Sequence, residues 1–258
     1  MTAARDADLV LEGGGVKGIG LVGAYRELAD AGYRVRRVAG TSAGAIVGAL
    51  IAAGAPPEAL TQTMREIDYR RFEDKGFLDH FGVAGRGLSV LFEKGIYEGA
   101  YLRDWLHGLL SDVGAATFGD LRITDDPDSS LPPERAYRLV VLTSDVSRGR
   151  LVRLPWDYPR YGLDPDEQFV ADAVRASMSI PIFYEPVAFG GTGPEGRDTR
   201  SYLVDGGMLS NFPIDGVKAT DFDIDDTTQA ALYENGRTAA TKFLRTWDFP
   251  RYLRTYRS

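Results

Sequence analysis

The feature that most constrains this chain is a serine between two glycines at the end of a predicted strand. The stretch reads Val38-Ala39-Gly40-Thr41-Ser42-Ala43-Gly44, and Gly-x-Ser-x-Gly is the pattern of a nucleophile elbow, a tight turn from a strand into a helix. Because such a turn leaves no room for Cβ atoms beside the serine, we expect Gly40 and Gly44 to provide the space. The N–H of Ala43, at the helix N-terminus, would face an anion that forms next to Ser42.

Hydrophobic periodicity places this elbow in an alternating order of strands and helices. Over the first 70 residues, strands are predicted at 8–12 and 33–39, and helices at 19–31, 42–53 and 57–67. This order implies a parallel sheet with right-handed crossovers, in which sites form at the carboxyl ends of strands. Further strands are predicted at 137–142, 149–154, 185–189 and 201–204, and further helices at 98–112, 169–178 and 226–247.

Composition excludes several classes of protein. The chain has no cysteine, which rules out disulfides, thiolate chemistry and cysteine-ligated metals. A formal net charge of −7 argues against a general nucleic-acid binder. The polar N-terminus has no signal-peptide apolar region, and no window of about 18 uncharged apolar residues predicts a spanning helix. We therefore expect a cytoplasmic protein without nucleic-acid partners, and peripheral membrane contact stays open.

A serine nucleophile needs a base, and histidine is scarce. In elbow enzymes with a Ser-His-Asp triad the histidine comes last in the chain. The two histidines here are His80 and His107, so no histidine lies in the second half of the chain, where that histidine is expected. The base is therefore expected to be a carboxylate at a strand end beyond the elbow. Asp205 fits best, because a predicted strand precedes it and two glycines follow it. Asp145 and Asp172 are weaker alternatives.

A second glycine-rich turn, Gly13-Gly14-Gly15-Val16-Lys17-Gly18, follows the first predicted strand. Its backbone N–H groups can converge on an anion, because no side chain blocks the approach. Lys17 would either attract a phosphate head group or only solvate the first helical turn. The turn also satisfies the dinucleotide-binding fingerprint, but the next strand end lacks the expected acidic residue and instead offers Arg36 and Arg37, which suit a 2′-phosphate.

Taken in order, three motifs resemble those of the patatin-like phospholipase family. The 13–18 turn is similar to the family's oxyanion loop, 40–44 to its nucleophile motif, and Asp205-Gly206-Gly207 to its catalytic aspartate motif. Ala176-Ser177-Met178-Ser179-Ile180-Pro181-Ile182-Phe183 is similar to a segment that precedes that aspartate. The resemblance covers roughly residues 8 to 215.

The resemblance implies an α/β fold, a single three-layer domain with a mostly parallel central sheet, over residues 1–258. It implies a Ser42–Asp205 dyad that hydrolyses acyl esters of lipids without a metal or other cofactor. The backbone donors expected around the oxyanion belong to Gly13, Gly14, Gly15 and Ala43. A non-catalytic lipid-binding module on the same fold is the main alternative, and a dinucleotide-binding domain is a lesser one.

Three regions add further expectations. Residues 70–100 are loop-rich and apolar, and either cover the core or form a lid that faces acyl chains or a membrane. After Asn211-Phe212-Pro213-Ile214 the family usually carries more strand and helix than this sequence does, so the region is either shortened or lacks a mobile stretch. The 245–257 tail alternates arginines with aromatics, which suits either a packed arm or an interfacial segment.

Overall fold

The computed structural model describes residues 5–66, 99–124, 131–181, 183–190, 200–209 and 225–256. The proposed lid at 70–100 lies almost entirely outside these residues. The shortened region after Ile214 also lies outside them, up to Asp225.

The N-terminal part alternates strands and helices in the predicted order. Strand β1 spans Arg5–Leu11, helix α1 Ile19–Asp30, strand β2 Tyr33–Thr41, helix α2 Ala43–Ala52 and helix α3 Pro57–Glu66. Every residue of α2 is buried. Its sequence, Ala-Gly-Ala-Ile-Val-Gly-Ala-Leu-Ile-Ala, has no polar side chain, so the helix can be enclosed on all sides.

The remaining elements complete the sheet and its flanking helices. Helix α4 spans Ala100–Asp112, strand β3 Leu139–Asp145, strand β4 Arg150–Leu154, helix α5 Val170–Ser177, strand β5 Val187–Phe189, strand β6 Ser201–Asp205, helix α6 Asp226–Thr246 and helix α7 Phe249–Tyr256. The core of buried apolar residues lies between the sheet and helices α2, α4 and α5.

Strand β3 organises the sheet. One of its edges pairs with β4, from Val141 to Asp145. The other edge is shared: β2 runs parallel along residues 139–142, and β6 runs antiparallel along residues 143–145. Because each strand has only two edges, β2 and β6 must lie end to end beside β3. Their C-terminal ends therefore meet head-on.

The strand directions confirm the predicted fold class. Strands β1, β2 and β3 are mutually parallel, while β6 is antiparallel to β3 and β5 is antiparallel to β6. Four of the six strands in the described part of the chain thus run the same way, with β4 and β6 opposed. The protein is an α/β fold with a mostly parallel central sheet flanked by helices.

Helix α6 packs on α1 through small residues. A Cβ on Gly20 would lie 3.2 Å from the carbonyl oxygen of Leu232, and one on Gly236 would collide with the backbone of Gly20. This close crossing turns the Gly236 and Ala240 side of α6 inward. The sequence favours Phe243 and Leu244 as the buried residues of this helix. The prediction is wrong for Phe243, which is 48% exposed and stacks on Trp247, whereas Leu244 is half-buried.

The C-terminal helix α7 packs at the beginning of β2. The ring of Phe249 meets the ring of Tyr33 edge to face, with centroids 5.6 Å apart. Tyr33 is the first residue of β2, so α7 lies at the end of the strand remote from Ser42. Of the helices that the structure describes, none combines the length and apolar character needed to cross a bilayer.

Candidate active site at the Ser42 elbow

Ser42 occupies a strained backbone conformation between β2 and α2. Its φ is 54° and its ψ is −127°, and among the described residues it alone has a positive φ without being a glycine. Non-glycine residues in such regions cost on the order of 1–3 kcal/mol and persist only where the surroundings hold them. The strain makes Ser42 a strong candidate for function.

The two elbow glycines are explained by close backbone approaches. A Cβ on Gly40 would collide with the carbonyl of Gly44, and a Cβ on Gly44 would collide with the carbonyl of Leu11. The elbow is thus packed against itself and against the end of β1, as the steric argument from the sequence requires.

Asp205 reaches the elbow because β2 and β6 meet head-on. Thr41, the last residue of β2, pairs with Leu142, and Asp205, the last residue of β6, pairs with Thr143. Adjacent residues of β3 therefore hold the two strand ends. Ser42 and Asp205 are 3% and 5% exposed, so both side chains are shielded from bulk water.

The surroundings of Asp205 favour a basic carboxylate. Burial raises the pKa of Asp205 above its usual value, and the influence of the Ser42 hydroxyl and of the Gly207 N–H offsets only part of that rise. The Gly207 N–H lies 2.7 Å from Oδ1. Among the residues that the structure describes, no charged side chain contributes to this pKa shift. A carboxylate in this setting holds a proton more tightly than an exposed aspartate does.

The glycine-rich turn lies directly against Ser42. A Cβ on Gly13 would be 3.0 Å from the Cβ of Ser42, and one on Gly18 would be 2.7 Å from the Cβ of Ala43. Gly15 has a φ of 56° and begins a short 3-10 helix to Gly18. The turn that carries the predicted oxyanion donors and the elbow are therefore neighbours.

Lys17 lies within the glycine-rich turn, whereas Ala43 lies at the start of helix α2. Lys17 is the third residue of the 3-10 helix, and its N–H donates to the carbonyl of Gly14 at 3.2 Å. Ala43 is the first residue of α2, where a backbone N–H has no acceptor within its own helix. The Ala43 N–H is therefore placed as a donor beside the serine.

The two weaker base candidates, Asp145 and Asp172, and the histidine His107 contact residues away from the elbow. Asp172 pairs with Arg103 at 2.8 Å. Asp145 accepts hydrogen bonds from the Tyr161 hydroxyl at 2.9 Å and from the Arg148 N–H at 3.0 Å, within the β3–β4 hairpin. His107, on α4, packs edge-on against Phe169. Each of these groups has a structural role at its own position.

One contact of the site was not predicted from the sequence. The segment Ser177-Met178-Ser179 at the end of α5 touches both candidate residues. The Ser42 N–H donates to Ser177 Oγ at 2.8 Å, and the Asp205 N–H donates to the carbonyl of Ser179 at 2.8 Å. The sequence marks this segment only through its family resemblance, because no pattern rule connects it with the elbow.

The described residues around the elbow do not include a cluster of metal-ligating side chains. Within the ranges that the structure covers, no group of three or more histidine, aspartate or glutamate residues is placed to hold an ion. The candidate groups at the elbow are thus a hydroxyl, one carboxylate and backbone N–H donors.

The fold and the site together define an α/β protein with a strained elbow serine beside a buried aspartate. The Patatin-like phospholipase family matches residues 9–218. The chain belongs to this family, which confirms the resemblance inferred from its three motifs.

Relatives and solved structures agree with this assignment. The chain is 40% identical to the uncharacterized protein YqhO of Bacillus subtilis over 80% of this chain and 65% of that protein. It is 28% identical to the lysophospholipase nte1 of Aspergillus fumigatus over 85% of this chain and 12% of that protein. The chain thus spans less than two thirds of the length of these relatives.

Two solved structures share the fold at low sequence identity. The type III effector ExoU of Pseudomonas aeruginosa matches with a TM-score of 0.53 and 21% identity, over 93% of this chain and 53% of that one. VipD of Legionella pneumophila matches with a TM-score of 0.50 and 18% identity, over 87% of this chain and 51% of that one. These two likenesses show that the fold is shared.

Proposed function

We propose that this protein is a lipid acyl hydrolase that cleaves carboxylic esters through an acyl-Ser42 intermediate, with Asp205 as general base. The observation that carries the proposal is the head-on meeting of β2 and β6. It sets a strained, buried serine against a buried carboxylate whose pKa is raised by burial.

The first half of the reaction forms the acyl-enzyme. Asp205 accepts the Ser42 proton as Oγ attacks the acyl carbonyl carbon, which gives a tetrahedral oxyanion. Collapse of this intermediate breaks the ester C–O bond, and Asp205 returns the proton to the leaving alcohol. In the second half, Asp205 activates a water that attacks the acyl carbonyl, and the fatty acid leaves as Ser42 recovers its proton.

An aspartate with an ordinary pKa of about 4 is a poor base for an alkanol. Two features of the site reduce this mismatch. Burial raises the pKa of Asp205, and the backbone donors stabilise the oxyanion that the proton transfer creates. The donors assigned to this role are the N–H groups of Gly13, Gly14, Gly15 and Ala43. A single donor of this kind is typically worth about 3 kcal/mol.

The family and its relatives support the proposed substrate class. A lysophospholipase among the relatives and the phospholipase family itself support a phospholipid or lysophospholipid ester. Lys17 lies in the turn that carries the proposed oxyanion donors, and we propose that its positive charge attracts a phosphate head group.

Contact with a lipid surface is proposed for the elbow end of the sheet. The tail helix α7 packs on Tyr33, eight residues along β2 from Thr41, which corresponds to about 26 Å of extended strand. A bilayer that delivers lipid to Ser42 would therefore approach from the end opposite α7. The contact with Tyr33 supports the packed-arm interpretation of the tail.

The test is hydrolysis of a chromogenic acyl ester by Ser42→Ala and Asp205→Asn variants. We expect both to lose activity while they keep the wild-type melting profile or a higher one. Ser201→Ala and Asp157→Asn are matched controls, because each makes the same change at another buried position. Near-wild-type activity in either dyad variant would contradict the proposed roles.

Two further measurements separate the alternatives. A fluorophosphonate probe should label Ser42 in the wild type and not in Ser42→Ala; no labelling would favour a non-catalytic lipid-binding module. Tight binding of NADPH in a fluorescence titration would favour a dinucleotide-binding domain. A lipid panel read by mass spectrometry, with Ser42→Ala as the control, would then identify the preferred head group and bond position.

A further inference from the structure

We infer that Ser177 is a positioning residue that holds the Ser42 elbow in its strained conformation and fixes the nucleophile relative to Asp205. The inference rests on the proposed function, because positioning is measured through the reaction at Ser42. Ser177 is the last residue of α5 and is fully buried.

The hydroxyl of Ser177 joins the Ser42 elbow to the middle of strand β3. It accepts the backbone N–H of Ser42 at 2.8 Å and donates to the carbonyl of Leu142 at 2.6 Å. Leu142 is the β3 residue that pairs with Thr41. A single side chain therefore uses its donor and an acceptor lone pair to link the elbow to the strand beside it.

The elbow needs this partner because of where Ser42 stands in the chain. The β2–β3 ladder ends at Thr41, and the first helical bond of α2 runs from the Ala45 N–H to the Ser42 carbonyl. Neither element supplies an acceptor for the Ser42 N–H, and a buried unpaired N–H is costly. The Ser177 hydroxyl provides that acceptor and opposes relaxation of the positive φ.

The same three-residue segment also holds Asp205. The Ser179 carbonyl accepts the Asp205 N–H at 2.8 Å. Between these two anchors, the Met178 sulfur lies 3.5 Å from Ser42 Oγ and contacts the nucleophile directly. Because residues only two positions apart bind the two members of the dyad, a movement at Ser177 changes the separation of the nucleophile and the base.

The end of α5 is itself well fixed. The Met178 N–H donates to the carbonyl of Val174 at 2.9 Å, and the Ser179 N–H donates to that of Ala176 at 3.2 Å. The buried Arg175 guanidinium donates to the Ser179 hydroxyl and to the Glu185 carbonyl. These contacts make the segment rigid enough to position the groups bound to it.

The experiment compares Ser177→Ala with Ser201→Ala. Both serines are fully buried, but the Ser201 hydroxyl has no hydrogen-bond partner among the described residues. Active sites are titrated with a fluorophosphonate, and kcat is expressed per titrated site so that unfolded molecules are not counted. For Ser177→Ala we expect kcat per site to fall about 10- to 100-fold, with KM within about twofold of the wild type. Ser201→Ala should keep the wild-type rate.

A purely structural role gives a different result. If Ser177→Ala lowers the melting temperature but leaves kcat per titrated site unchanged, the inference is wrong. Should Ser177→Ala fail to fold, Ser177→Cys is measured in the same way, since a thiol is a weak donor and acceptor of similar size. A clear loss of per-site kcat supports positioning, and a rate equal to the wild type contradicts it.

Different experimental results would contradict the proposed function and the positioning role of Ser177. A wild-type protein that hydrolyses no ester contradicts the proposed function. A wild-type protein whose activity depends on Ser42, together with a fully active Ser177→Ala variant, contradicts only the positioning role.

Discussion

Asp205 and Asp157 both have little solvent-exposed surface, yet the pKa values of their carboxyl groups shift in opposite directions. Asp205 is 5% exposed and Asp157 is 4% exposed. Burial raises the pKa of both carboxyls, but at Asp157 the hydrogen bonds and charges of Arg153 and Arg160 outweigh it and lower the pKa. At Asp205 the partners are a hydroxyl and an N–H, so burial dominates.

The difference shows what separates a structural carboxylate from a candidate base. Arg153 binds Asp157 through its backbone N–H at 2.8 Å and through its guanidinium at 3.2 Å. Such pairing stabilises the charge and makes the group a weaker base. The Asp205 site uses neutral donors, which orient the carboxylate while they leave its affinity for a proton high.

The largest expected difference between the two aspartates is in catalysis. Asp205→Asn should reduce kcat/KM for a chromogenic ester about 10³- to 10⁴-fold, because the amide cannot accept the Ser42 proton. Asp157→Asn should keep kcat/KM within about threefold, since its partners lie away from the elbow. Steady-state kinetics on both variants decide the point; an equal loss in the two would remove the contrast.

The pH dependence of the wild type tests the raised pKa directly. The base form of Asp205 is required, so kcat/KM should fall as the pH drops through the pKa of this group. The acid limb should have unit slope and a midpoint above the value of about 3.9 for an exposed aspartate. The measurement is a kcat/KM profile with a soluble ester, with stability checked at each pH. A midpoint at or below that of an exposed aspartate contradicts the prediction.

Replacing the two aspartates should change the folding stability at pH 8 in opposite directions. A raised folded-state pKa means that Asp205 favours folding below its unfolded pKa, and this contribution is lost as pH rises through the folded value. Asp205→Asn should therefore melt higher than the wild type at pH 8, and the gain should shrink toward pH 4. Each kcal/mol corresponds to roughly 2–4 °C in a chain of this size.

Asp157 should show the reverse behaviour. Its lowered pKa contributes stability above the unfolded value, and that contribution is lost as pH falls through the folded value. Asp157→Asn should cost about 1–3 kcal/mol at pH 8, because charge-assisted hydrogen bonds are lost. Urea unfolding of both variants at pH 8 and pH 4 measures the two signs. Changes of the same sign would show that the arginines do not cause the difference.

The smallest expected effect is at the far end of β2. Phe249→Ala should destabilise the protein by about 1 kcal/mol, because it removes an edge-to-face pair with Tyr33. Ester hydrolysis and co-sedimentation with phospholipid vesicles should not change, because this contact is remote from the elbow. Loss of vesicle binding in Phe249→Ala, or in a protein truncated after Thr241, would favour the interfacial interpretation of the tail.

Much of the fold could be predicted from the sequence, because local patterns carry it. The elbow helix is predicted at 42–53 and observed at Ala43–Ala52, and the strand before Asp205 is predicted at 201–204 and observed at Ser201–Asp205. Periodicity and glycine punctuation are local signals, so element type and position follow from them.

The relations between distant segments could not be predicted in this way. The sequence indicates that Asp205 ends a strand, but not that this strand is antiparallel and meets β2 end to end. The hydroxyl of Ser177 was missed for the same reason, because its two partners lie 135 and 35 residues away. Phe243 was placed wrongly because hydrophobicity alone does not reveal that α6 packs on α1 through glycines.

The end-to-end arrangement of β2 and β6 has a consequence for the timing of activity during synthesis. The elbow and its glycine turn lie in the first 45 residues, whereas Asp205 lies in the last third of the 258-residue chain. A nascent chain can fold its N-terminal strands early, yet under the proposed mechanism it carries a serine without a base. Under that mechanism, lipid hydrolysis would begin only when β6 docks beside β3.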